Sequence, residues 1–221
     1  MRILVSGATK SVRRIMSERP DRVGVLQVPR DGNAEPDGVW AADNGCFGGL
    51  NHSEYLGMLS RIMKYKTKPL WVTCPDVVGS MGATWSLYYR WVPMLRDCGL
   101  PVALVLQDGV ERMKWRYPLT AHWDDIAAIF VGGSTAFKLS DTAAEITMEA
   151  HERGKMVHYG RVSTRQRIFW LARGIRDGRL WCDTFDGSAF SRFPEDRLPP
   201  AIRWIDEAMK CRQTVFAGGN C

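Results

Sequence analysis

The stretch Val102-Ala103-Leu104-Val105-Leu106-Gln107-Asp108-Gly109 decides the fold. Five consecutive apolar residues read as a strand, and Gln-Asp-Gly closes it with turn-forming residues. A helical stretch precedes it: over residues 84–97, Leu87, Trp91 and Leu95 fall on one stripe. This helix-plus-strand unit recurs in both directions. Upstream, apolar runs at 2–5, 23–28, 39–42 and 70–74 end at Gly7, Pro29, Asp43-Asn44-Gly45 and Pro75-Asp76. Helical patterns lie over 10–18 and over 53–64, where Tyr55, Leu59 and Met63 keep i, i+4, i+8 spacing. Downstream, runs at 126–131, 156–159 and 180–185 end at Gly132-Gly133-Ser134, Gly160 and Asp186-Gly187. Helices are expected over 142–153, 165–173 and 200–211, the last with Pro200 in its first turn. Eight strands alternating with helices predict a parallel sheet with helical crossovers. We read one α/β domain over residues 1–221, a compact (β/α)8 barrel of the TIM type. Its active site is expected at the C-terminal ends of the strands. An open doubly wound sheet is the rival, but Ser6-Gly7-Ala8 lacks the G-x-G-x-x-G spacing of a dinucleotide turn.

The composition is that of a folded protein. The 221 residues are 45% hydrophobic and 24% charged, which excludes a disordered or collagen-like chain. Thirty Lys+Arg against 24 Asp+Glu give a net charge of +6, a hint of an acidic partner. Six widely spaced cysteines form no C-x-x-C pair and read as free thiols of a reducing compartment. The N-terminus has no signal-peptide pattern, and no run approaches the roughly 18 apolar residues of a membrane span. A cytoplasmic protein without a membrane partner is expected.

The polar residues fall in register. Asp43, Asp76, Gln107, Gly132-Gly133, Tyr159-Gly160 and Asp186 each follow a predicted strand, so a barrel would gather them on one face. There is no nucleophile elbow, no H-E-x-x-H and no His pair. Carboxylates sharing a pocket can divide the work of displacement at an anomeric carbon: one attacks, another handles the proton. His158 reads as a satisfied core or hydrogen-bonding histidine, Asp108 as a turn residue, and Asp183 as a structural one.

These strand ends resemble a known family. Ala42-Asp43-Asn44-Gly45-Cys46-Phe47 is similar to the Asp-Ser-Gly-Gly-Tyr/Phe segment of the tRNA-guanine transglycosylases, and Asp183-Thr184-Phe185-Asp186 to their Asp-x-Phe-Asp segment. Cys74-Pro75-Asp76, 106–109, 131–134 and 158–162 follow in the order of the family's base-binding segments. The run from His158 to Arg165, followed by Asp183 to Ser188, resembles the short phage branch, the DNA-guanine transglycosylases, more closely. The resemblance covers roughly residues 40–190 and implies the same barrel fold.

By resemblance, Asp186 is the nucleophile that attacks C1′ of a guanosine, and Asp43 is the general acid/base. Asp76 accepts from the guanine N1–H and 2-amino group, while Gln107 and the Gly133 N–H face O6. Gly132 and Gly133 let the backbone approach a flat base, and Phe47 and Tyr159 sandwich it. The implied partners are DNA and an incoming 7-deazaguanine of the preQ0 type, with a second copy of the chain or an accessory protein as a further partner. No cofactor is implied. The zinc segment of the tRNA enzymes has no counterpart, since Cys211 and Cys221 lack the spacing, so no metal is expected. The short chain favours DNA over a tRNA anticodon. Arg161, Arg165 and Arg167 lie beside the expected pocket as nucleic-acid contacts. Further basic clusters occur at 10–14, 64–68 and 112–116. The alternatives are a tRNA-guanine transglycosylase, a plain glycosylase, and a catalytically silent nucleic-acid-binding barrel.

Overall fold

A computed structural model describes residues 1–32 and 34–216. The side chains of Arg116 and Cys211, and all of Cys221, lie outside the described residues. Eight strands form the core: β1 (Arg2–Ser6), β2 (Val23–Gln27), β3 (Trp40–Ala42), β4 (Val72–Thr73), β5 (Val102–Leu106), β6 (Ala128–Val131), β7 (Met156–Tyr159) and β8 (Thr184–Asp186). Every neighbouring pair is parallel, and β8 returns to pair with β1, so the sheet closes into a barrel. The (β/α)8 expectation holds.

The helices are α1 (Lys10–Glu18), α2 (His52–Ile62), α3 (Met81–Asp97), α4 (Arg116–Thr120), α5 (Thr135–Lys138), α6 (Asp141–Glu152), α7 (Arg165–Arg176), α8 (Ser188–Arg192) and α9 (Pro194–Phe216). Six start on a side-chain cap. Thr9, Asn51, Ser80, Ser134, Ser140 and Thr164 each accept a hydrogen bond from the N–H three residues on, which satisfies a donor that the first turn leaves free. The final helix begins at Pro194 rather than near Pro200. It packs across α7 and α1, and Asp206 accepts from Arg19 and Arg22 at 2.9 and 2.7 Å, tying it to the turn before β2.

Strand residues alternate between two cores because side chains point to opposite faces with a period of two. Leu4, Leu26, Ala41, Trp71, Ala103 and Ala128 fill the barrel interior, with Phe130 and Met156 packed against them. Ile3, Val5, Val25, Trp40, Val72, Leu104, Ile129, Val157 and Tyr159 belong to the larger core that includes the helices. The same alternation decides which residues reach the mouth of the barrel. Among the described residues, no helix is long and apolar enough to cross a membrane.

Candidate active site at the barrel mouth

A pocket of about 290 Å³ opens at the C-terminal ends of the strands. That is near the small end of ligand sites. Asp43, Phe47, Asp76, Gln107, Gly132, Gly133, Arg161 and Asp186 all line it, so the structure brings eight of the eleven sequence-predicted residues together.

The other three lie elsewhere. Tyr159 is corrected: its ring is 1% exposed and packs outside the barrel, 6.3 Å from that of Trp170. It lies one residue out of phase, because His158 on the same strand and Gly160 directly after it face inward. It cannot sandwich a base in this pocket. Arg165 lies over the Phe169 ring, 5.1 Å from its centroid, on α7. Arg167 donates to the Arg161 carbonyl at 3.1 Å and to Thr135 Oγ1 at 3.0 Å. It braces the Arg161 loop and does not line the pocket.

Asp43 ends β3. Its Oδ1 accepts from Thr73 Oγ1 at 3.1 Å, and that hydroxyl in turn accepts from the Asn44 N–H at 2.7 Å. Burial first, then the charges of Asp76 and Asp186, push the Asp43 carboxyl up to about 7. A carboxyl half-protonated near neutral pH is suited to moving a proton in either direction.

Asp76, 6% exposed, is held by three donors. Asn44 Nδ2 (2.8 Å) and the Cys46 thiol (2.8 Å) reach Oδ1, and Gln107 Nε2 (2.6 Å) reaches Oδ2. Burial and the Asp76 charge push the Cys46 thiol up, so it stays protonated and donates. The Gln107 Oε1 accepts from the Gly79 N–H at 2.9 Å, which fixes the amide and leaves one Nε2 hydrogen toward the pocket. Asn44 was not singled out from sequence, and Cys46, which reads there as a small packing residue beside Phe47, instead donates to Asp76.

Gly132 lies against this network. A Cβ there would lie 2.7 Å from Gln107 Nε2 and 2.9 Å from the Leu106 carbonyl oxygen. The backbone must shift to admit it, so Gly132→Ala should cost about 1–3 kcal/mol. It should also dislodge the Gln107 amide from Asp76. Thermal unfolding and the KM for whatever occupies the pocket will report this; an unchanged KM would show that Gln107 takes no part. Gly133 takes φ 69°, a left-handed conformation that glycine adopts without strain.

Asp108 is structural. Both its oxygens accept from Ser134, through the backbone N–H and the hydroxyl, which ties the loop after β5 to the start of α5. Asp183 is structural as well, accepting from the Val157 N–H at 2.8 Å and from Trp181 Nε1 at 2.9 Å.

Asp186 ends β8 on the opposite side of the mouth. Its Oδ1 accepts from the Arg161 N–H at 2.9 Å and meets His158 Nε2 at 3.2 Å. Arg161 donates from Nη2 to the Gly133 carbonyl at 2.8 Å, and its guanidinium lies 4.6 Å from the centroid of the Phe47 ring. Phe47 is 70% exposed at the lip.

Lys138 was missed. It is 6% exposed on α5 and lines the pocket, with no side-chain hydrogen bond or ion pair among the described residues. Burial, and then the Arg161 charge, draw its amine down to about 8. Ser188, Ser191 and Arg192 also line the pocket, so three cationic and three carboxyl side chains border it. Among the described residues, no three His, Cys, Asp or Glu side chains are grouped to hold a metal ion.

No family model and no curated protein matches the chain. Among solved structures, a citrate lyase from Burkholderia xenovorans LB400 superposes with a TM-score of 0.55 at 12% identity, covering 94% of this chain and 76% of that one. A 7,8-dihydropteroate synthase from Vibrio fischeri ES114 gives a TM-score of 0.42 at 10% identity, covering 100% and 95%. At these identities the citrate lyase match shows a shared barrel fold and nothing finer.

Proposed function

We propose that the chain is a pentosyltransferase that exchanges guanine in DNA for a 7-deazaguanine through a covalent Asp186–glycosyl ester. The observation that carries this is the placement of Asp186 and Asp43 on one small pocket, with Asp43 tuned to about 7. In the first half, a carboxylate oxygen of Asp186 attacks C1′ and the C1′–N9 bond breaks. Its electron pair leaves with guanine, which takes a proton from Asp43. In the second half, Asp43 removes a proton from the incoming base. The freed nitrogen attacks C1′ and expels Asp186, so the two halves balance.

The order of groups around the mouth supports a purine. Following the strands from β4 to β8, the pocket presents Asp76, Gln107, Gly132–Gly133, Lys138 and Asp186. Around the rim of guanine the order is the N1/N2 edge, O6, position 7 and N9 with its sugar. Asp76 would therefore meet the donors, Gln107 and Gly133 would meet O6, and Lys138 would stand beside position 7. The backbones of Gly132, Gly133 and Gly160 give flat walls, and Phe47 offers a stacking ring at the lip. DNA would have to present the guanine flipped out or single-stranded. The sequence resemblance to the DNA-guanine transglycosylases points the same way.

The test is incorporation of labelled guanine, and separately of a preQ0-type base, into DNA. The expected result is incorporation with stoichiometric release of unlabelled guanine. Release without incorporation, leaving abasic sites, would instead identify a plain glycosylase. Binding with neither would identify a silent barrel, and incorporation into tRNA alone would assign the other branch of the family.

A further inference from the structure

We propose that His158 is a positioning residue for Asp186, held in one tautomer by Thr184, and that it leaves Oδ2 of Asp186 as the attacking oxygen. This rests on the base-exchange reading, which makes Asp186 the nucleophile.

His158 is inside the barrel, 0% exposed. Its ring is wedged between Trp71 and Phe130, with centroids 4.8 and 4.5 Å away, so it has little freedom to turn. Nδ1 lies 2.8 Å from Thr184 Oγ1, and Nε2 lies 3.2 Å from Asp186 Oδ1. A carboxylate oxygen only accepts, so Nε2 carries a hydrogen. Burial holds the ring below its ordinary pKa, which keeps it neutral with a single N–H. Nδ1 is then a bare acceptor, and the Thr184 hydroxyl donates to it. The bonds run in one direction: Thr184 to His158 to Asp186.

The second donor to Oδ1 is the Arg161 N–H. Arg161 takes φ 59°, the one left-handed residue other than glycine among the described residues. Such strain persists where the surroundings impose it, and here Arg167 and Gly133 both hold the loop. Oδ1 thus has two donors. Oδ2 makes no hydrogen bond among the described residues, and Asp186 lines the pocket. The carboxylate cannot rotate to exchange its oxygens without breaking both bonds, so one oxygen is presented to C1′ before substrate arrives.

Two measurements test this. In ¹⁵N-histidine-labelled protein, long-range ¹H–¹⁵N correlations should show His158 as the neutral Nε2–H tautomer at neutral pH. Thr184→Val, close to isosteric, should release that tautomer and lower kcat for guanine exchange by about 10- to 100-fold with KM nearly unchanged. Thr184→Ser should restore both the tautomer and kcat. An Nδ1–H tautomer or an imidazolium in the wild type would overturn the proposal whether or not the chain exchanges bases. A Thr184→Val variant with full kcat would overturn it as well. Wild-type protein that exchanged no guanine would defeat the base-exchange reading instead, and the tautomer would still be decided by the spectrum.

Discussion

Asp186→Asn will lose base exchange by about 10⁴-fold or more while keeping the fold and the pocket. Asparagine is the informative replacement because its side-chain oxygen can still accept from the Arg161 N–H and from His158 Nε2. Alanine would leave both donors facing nothing, and the cost of a buried unsatisfied group, about 1–3 kcal/mol, would mix with the loss of chemistry. The amide cannot form the glycosyl ester, so the first half-reaction stops. The checks are label incorporation, thermal unfolding and trapping of a protein–DNA ester. Wild-type protein quenched in mid-reaction should carry hydroxylamine-sensitive DNA, and the variant should carry none. Exchange at the wild-type rate would remove Asp186 as nucleophile and with it the mechanism proposed above.

The barrel was legible because its signal is repetitive. Each unit pairs an apolar run with a polar strand end, and eight repeats leave little freedom in topology. The acids were legible for the same reason: Asp43, Asp76 and Asp186 stand where a strand meets the mouth. Tyr159 shows where that reading stops. In Met156-Val157-His158-Tyr159 each phase pairs an apolar residue with a ring that carries a polar atom, Met156 with His158 and Val157 with Tyr159, so the sequence does not say which residues point inward. The register does, by setting His158 beside Phe130 and Thr184. A one-residue slip exchanges the faces, and here it exchanges the expected stacking ring for a buried histidine. Arg165 and Arg167 do not line the pocket because residues two apart on a helix do not face the same way: Arg167 turns to Arg161 and Thr135, and Arg165 lies over Phe169. Lys138 was invisible for a different reason. Nothing separates it from any surface lysine until the single turn of α5, capped by Ser134, folds it back over the pocket.

Asp43→Asn should remove the proton carrier and, at the same time, stabilise the protein at alkaline pH. An acid raised from 3.8 to about 7 binds more protons in the fold than in the unfolded chain between those values. Stability from this group is therefore present at acid pH, declines as pH rises through that window, and stays lower above it. The full shift corresponds to a penalty of order 4 kcal/mol, reduced in practice because the carboxyl borders a pocket open to solvent. Urea unfolding below about pH 4 should hardly distinguish the variant from wild type; the difference should grow between about pH 4 and 7, and at about pH 8 the variant should be more stable by a few kcal/mol. Its Oδ1 still has the Thr73 hydroxyl as donor, so the loop is preserved. Activity moves the other way. Loss of a general acid/base costs about 10²- to 10⁴-fold. In the wild type, kcat/KM for guanine release should fall above about pH 7 as Asp43 loses the proton it must deliver, and that limb should vanish in the variant. Lys138 also titrates near this range, at about 8, so Lys138→Met is the control: it should leave the Asp43 limb in place. A limb lost with Lys138→Met and kept with Asp43→Asn would transfer the proton-handling role to the lysine. A variant no more stable than wild type at alkaline pH would mean that Asp43 is ionised in the fold, and a carboxylate already without its proton cannot protonate a departing base.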